Sequence, residues 1–313
     1  LMNTTIARHF SAFKGELAKH YHFKKDFRFL DLTLGDGGHT EEALRAGCQV
    51  VSFDVDPKSI QRATDFLKNF AKPYIIEDYR AFQQPLDGNE PWIVIQTNFI
   101  NASEAIQKLN LNKFDGIMAD LGPSQFQVLS EDRGFSFNSN SELDMRLNAN
   151  LGVTAKDLVN ALNEGELRDL FELGDEPFAK PIARIIVAQR KISPIVTGKQ
   201  LAELISKVKH KVHSLIHPAT QCFMALRMVV NLERENIKLL LPTISELLND
   251  RGIFGIITFH SVEDKLVKEE ISDLELKKIV SVINKKPIVP TIEELKISPR
   301  TRSAKLRFVQ KHI

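Results

Sequence analysis

Asp31-Leu32-Thr33-Leu34-Gly35-Asp36-Gly37-Gly38-His39-Thr40 is the stretch on which the fold turns. It follows an apolar run, 27–33, and leads into a helical stretch, 40–46. Glycines at such a turn supply unusual dihedrals and let a ligand approach the backbone closely. The helix start behind them offers free amides and partial positive charge, which suits a carboxylate or a phosphate. The spacing is GxGGH, with Thr40 where a dinucleotide fingerprint needs its third glycine, and this argues against a nicotinamide cofactor.

Working outward, the same unit repeats. Residues 49–54 form a second apolar run closing on Asp54, and 92–98, 114–121 and 253–259 look alike. Short apolar runs alternating with helical stretches such as 57–70 read as parallel strands buried on both faces of a doubly wound sheet. Ligands bind such sheets at the carboxyl ends of their strands. An acid at the end of the second strand accepts hydrogen bonds from ribose hydroxyls, so Asp54 with the glycine turn fits an adenosine-bearing ligand.

The alternation stops between 129 and 215. That stretch reads as helices at 155–163, 164–173, 177–192 and 198–210, with Thr154 and Thr197 as N-caps and Gly174 as a stop. The expected organisation is a sheet domain, 1–128 and 216–313, interrupted by a helical domain, 129–215. Residues 68–90 carry Pro73, Pro85 and Gly88 and read as an irregular excursion before the third strand; 284–300 reads as a proline-punctuated loop.

The 313 residues are 43% hydrophobic and 26% charged, an ordinary globular composition with no apolar run of the roughly 20 residues a membrane span needs. The net charge of +2 confines any nucleic-acid surface to a local patch. Two basic runs are candidates: Lys207, Lys209, His210, Lys211 and His213, then Arg300, Arg302, Lys305, Arg307 and Lys311. The second alternates with Ala304, Leu306 and Phe308, as a strand with one basic face would. Cys48 and Cys222 lack a spacing partner and read as core thiols in a reducing compartment. No signal-peptide segment is expected, and the reading is cytoplasmic. The nine histidines form no HExxH-type spacing, so no catalytic metal is expected. His260, in Phe259-His260-Ser261-Val262-Glu263-Asp264 beyond the fifth strand, is open to two readings: a proton-handling or phosphate-contacting group, or a satisfied structural histidine.

Together DLTLGDGGHT (31–40), FDVDP (53–57), MADLG (118–122), RGFSF (133–137) and LDMRL (143–147) resemble the MraW family of S-adenosylmethionine (SAM)-dependent methyltransferases. So do FAKPIAR (178–184), HPAT (217–220), ALRMVVN (225–231), FHSVEDK (259–265) and SPRTRSAKLR (298–307). The resemblance runs in order along nearly the whole chain. It implies a class I methyltransferase fold, a Rossmann-like doubly wound sheet with an inserted all-helical domain for substrate recognition. It implies SAM as cofactor and, as acceptor, N4 of a decoding-centre cytosine in small-subunit (16S) ribosomal RNA, whether free or in the 30S subunit. Carried over residue by residue, Gly35, Gly37, Gly38 and His39 line the SAM site, Asp54 holds the ribose, and Asp120 and Gln127 make further contacts. Asn98-Phe99 matches a family pair that sets Phe99 beside the adenine. Tyr79, in the similar Glu77-Asp78-Tyr79-Arg80, is a decoy unless the excursion carries the strand.

The exocyclic amine of cytosine is a poor nucleophile because its lone pair is delocalised; an acceptor such as a carboxylate can bond its N–H, orient the nitrogen and also take the proton. Asp120 and His260 are the catalytic candidates. Phe135 and Phe137 can either stack on an extruded base or serve as core. This sequence departs from the family at three places. Ser11-Ala12-Phe13 stands between His9 and Glu16 where a Pro-Val-Leu segment is usual, Pro123-Ser124-Gln125 replaces Val-Ser-Ser, and 68–90 is long. A paralogue acting on another RNA and a non-catalytic assembly factor are the alternatives; Asp120-Leu121-Gly122-Pro123 lacks the Asp/Asn/Ser-Pro-Pro-aromatic tetrapeptide of DNA amino-methyltransferases, which argues against that class. The oligomeric state is open, a homodimer included.

Overall fold

The computed structural model describes residues 11–84, 86, 89–124, 126–127, 133–209 and 216–313. Their contacts divide into two compact units, one ending at Gly122 and resuming as Asn236–Ile313, the other Pro123–Glu235.

The first unit is built on an eight-stranded sheet of order β3-β4-β2-β1-β5-β6-β8-β7. Its strands are β1 (Arg28–Asp31), β2 (Gln49–Asp54), β3 (Tyr74–Ile76), β4 (Trp92–Gln96), β5 (Phe114–Asp120), β6 (Leu248–Thr258), β7 (Val280–Val282) and β8 (Lys305–Lys311). The pairs from β3 across to β6 are parallel; β8 runs antiparallel to both β6 and β7. The apolar runs form strands because both faces of the sheet are covered. Leu30, Val51, Phe53, Ile93 and Ile95 enter one core. Phe29, Val50, Trp92, Val94 and Met118 enter the other. Each fully buried side chain of this size contributes roughly 1.5–3 kcal/mol.

Two expectations change. The excursion at 68–90 carries a strand of its own, β3, on the sheet edge beside β4. Residues 284–300 are not all loop: Ile292–Ile297 is helical because Thr291 and Glu294 form a reciprocal capping box.

The second unit is helical, with α-helices at Ala155–Ala161, Glu164–Leu173, Ala179–Arg190, Gly198–Val208 and Thr220–Val230. Thr154 and Thr197 cap their helices with full capping boxes, and Gly174 ends another. The sequence pattern returns the chain to the sheet at 216, yet Cys222, Phe223, Ala225, Leu226 and Val230 are buried in the helical core, so the 220–230 helix belongs to this unit. Phe135 is buried in that core too; Phe137 stacks at 4.2 Å on His217 and packs edge-on against Phe223. One face of the Phe137 ring is therefore already covered.

Candidate active site

Strand register builds the site. Asp31, the last residue of β1, pairs with Ser52 of β2 on one side and Met118 of β5 on the other. Both neighbours run two residues further, to Asp54 and Asp120. The carboxylates at 54 and 120 therefore flank the end of β1, and the glycine turn fills the gap between them. Leu32 N–H bonds to Met118 O and Leu34 N–H to Phe53 O, so the turn is laced to both strands.

Gly35 N–H donates to Asp54 Oδ2 and Asp56 N–H to Asp54 Oδ1, each at 2.8 Å. Each carboxylate oxygen accepts more than one hydrogen bond, so capacity remains for a diol. Burial pushes the Asp54 carboxyl up to about 7, and the two N–H donors only partly offset it. Across the turn, Thr33 Oγ1 accepts the Asp120 N–H at 2.6 Å, and His39 Nε2 lies 3.3 Å from Asp120 Oδ2. Beneath, buried Asp31 accepts from Thr40 Oγ1 at 2.7 Å, Thr40 meets the Ser52 hydroxyl at 2.9 Å, and Trp92 Nε1 donates to Ser52 at 3.1 Å. This closed chain fixes the first turn of the helix Gly38–Arg45, α1, against β1 and β2.

The glycines divide by role. Gly35 and Gly37 sit at positive φ, where a side chain is strained. A Cβ on Gly37 would meet Leu67 at 2.8 Å, and one on Gly38 would overlap the Ser11 side chain. Those two make room for the protein itself. A Cβ on Gly35 would meet nothing nearer than Thr33 O at 3.9 Å, so the open approach is at Gly35.

Asn98 accepts the Ile100 N–H and starts a short 3-10 turn with Phe99, which is half-buried. Asp54 pairs with Gln96 of β4, so Phe99 follows the strand adjoining Asp54. The excursion does carry a strand, but β3 lies one position further out, and buried Tyr79 follows it. Adjacency to β2 favours Phe99. Gln127 lies in the helical unit, where its side chain accepts the Ser124 N–H at 2.8 Å.

His260 has a structural role. Nδ1 accepts the Glu263 N–H at 3.3 Å, capping the helix Ser261–Leu276, and Nε2 lies 3.2 Å from Glu263 Oε1. The basic face of β8 is also engaged: Lys305 and Arg307 both pair with Asp264, at 2.8 and 2.9 Å, and Lys311 bonds to Leu248 O. In the other basic run, Lys209 is buried against Glu176 at 2.9 Å; His210, Lys211 and His213 lie outside the described residues. Sequence reading missed the His39–Asp120 pair, since nothing local links positions 81 apart.

A doubly wound sheet with a glycine turn after β1 and acids ending β2 and β5 defines a class I SAM-dependent methyltransferase. Residues 6–312 match the MraW methylase family, and the chain belongs to it. It is 38% identical over 97% of its length to the ribosomal RNA small subunit methyltransferase H of Picosynechococcus sp., covering 96% of that protein. It is 36% identical over 90% to the protein of that name from Endomicrobium trichonymphae, covering 91% of it, and 35% over 97% to that of Fervidobacterium nodosum, covering 97%. The chain is thus a methyltransferase, with SAM as its methyl donor.

The residues present fit that donor. Asp54 keeps acceptor capacity, Gly35 leaves its approach open, and at this turn the buried atoms His39 Nδ1 and Asp120 Oδ1 have no hydrogen-bond partner among the described residues. Among the described residues no helix is long and apolar enough to cross a membrane.

Proposed function

We propose that this protein methylates N4 of a cytosine in the decoding centre of small-subunit ribosomal RNA. Its relatives of known name are small-subunit ribosomal RNA methyltransferases, which supports the substrate class. The observation that carries the chemistry is Asp120, whose Oδ1 has no partner among the described residues beside an open glycine turn. A carboxylate can accept an N–H of the exocyclic amine and orient its nitrogen; the amine loses one proton for the methyl it gains, and Oδ1 receives it. Asp120 is preferred to His260 for this task because His260 already holds a helix start.

SAM, when bound, supplies the electrophilic methyl group. Asp54 holds its ribose, Phe99 flanks its adenine, and the backbone of the turn at Gly35, Gly37 and Gly38, with His39, forms the cradle. The rest of catalysis is proximity and alignment, for which a rigid sheet end is suited. The helical unit supplies substrate recognition, and the partner is small-subunit ribosomal RNA, free or in the 30S subunit.

Labelled SAM, undermethylated 30S subunits and naked DNA, followed by nucleoside identification, test this. Label in N4-methylcytidine from the 30S RNA is expected. Label in DNA with silent 30S overturns the assignment.

A further inference from the structure

We infer that His39 is the positioning residue of Asp120, engaging Oδ2 so that Oδ1 is the acceptor left open for the reacting amine. The inference rests on the reading of Asp120 as that acceptor.

The contrast with His260 carries it. His260 uses both ring nitrogens against Glu263, as a satisfied structural histidine does. His39 is more deeply buried, at 4% exposed, yet uses one: Nε2 toward Asp120 Oδ2, with Nδ1 unpartnered among the described residues. A buried polar atom without a partner is destabilising, so the arrangement is not explained by stability. The Asp120 backbone is already fixed, its N–H on Thr33 and the following N–H on Ile257 O. What remains free is rotation of the carboxylate, and His39 sets it.

The charges facing His39 are Asp120 from β5, Asp31 from β1 and Glu42 from its own helix. Burial opposes protonation of the ring, but the Asp120 bond and these three charges outweigh it and raise the imidazole above its ordinary value. In either the neutral or the protonated ring, an N–H at Nε2 can donate to Oδ2 and hold the carboxylate in this orientation.

His39→Leu, His39→Gln, Asp120→Asn and His39→Leu with Asp120→Asn test this in the full chain. Loss of one hydrogen bond to a charged group predicts turnover about 10- to 100-fold lower for His39→Leu. His39→Gln, which keeps a donor near Nε2, recovers most of that. The double variant is no slower than Asp120→Asn alone, since both changes remove one function. Independently of activity, imidazole NMR of the unliganded protein should show His39 titrating lower in Asp120→Asn than in the unaltered chain. Unchanged turnover in His39→Leu, additive losses, or a titration indifferent to Asp120→Asn each overturn the inference. If the unaltered protein labels no 30S RNA, the proposed function fails instead, and the NMR comparison still decides whether His39 and Asp120 are coupled.

Discussion

The carboxyl ends of the sheet and the interior of the helical unit treat buried polar groups in opposite ways. In the helical unit they are closed against one another. Lys209 and Glu176 pair at 2.9 Å with Gln221 alongside, and capping boxes close the starts at Thr154, Asn163 and Thr197. At the sheet ends, three acids converge on one turn, and His39 and Asp120 each keep a polar atom without a partner among the described residues. Satisfied polar groups build a scaffold; unsatisfied ones at strand ends mark where a ligand is meant to complete the bonding.

Removing one member of the closed pair should have the largest effect. Lys209→Met leaves Glu176 buried without its cation and should cost about 3–5 kcal/mol in denaturant unfolding, with no direct change in the chemistry. A loss under about 1 kcal/mol would show that the helical interior is wetter than described. At the open site the pattern should invert. Asp120→Asn should lower turnover about a hundredfold or more, within the usual worth of a general base, while SAM affinity moves far less. Equal losses in both would assign Asp120 to binding alone.

Asp54→Ala should weaken SAM binding by about 1–3 kcal/mol by calorimetry, the worth of a hydrogen bond to a charged acceptor. The same residue gives the site a pH signature. Its folded-state value, about 7, lies above the ordinary carboxyl range, so the folded protein holds this proton where an unfolded chain has released it. Stability from this group is thus present at low pH and lost as pH rises through about 7, whereas SAM affinity should rise over the same interval as the carboxylate forms. Asp54→Asn should flatten that rise. The smallest effect is at a helix start: Thr197→Ala removes the cap on Gln200 and should cost about 1 kcal/mol in thermal unfolding, with SAM affinity unchanged.

Much of this organisation was legible in the sequence because it is local. Apolar runs of strand length are visible when both faces are buried, and a threonine three residues before a Gln or Asp announces its own helix start. The turn at 31–40 and the acid at 54 were readable because a turn and the strand end beside it are close in sequence. What escaped depends on distance or on tertiary support. β3 and β7 are three residues each and exist only by pairing with β4 and β8. The 220–230 helix reads as part of the sheet unit, yet its apolar face is covered by the helical core. The basic alternation at 305–311 is a strand as expected, but sequence cannot reveal that Asp264 holds two of its charges.

The central claim is that the turn at 33–38, with a carboxylate on either side, seats the donor. A crystal structure with S-adenosylhomocysteine tests it most directly. The ribose hydroxyls should lie within hydrogen-bonding distance of Asp54, with Phe99 beside the adenine and the sulfur on the Asp120 side of the turn. A ligand bound elsewhere, with Asp54 contacting only Gly35 and Asp56, would contradict the account.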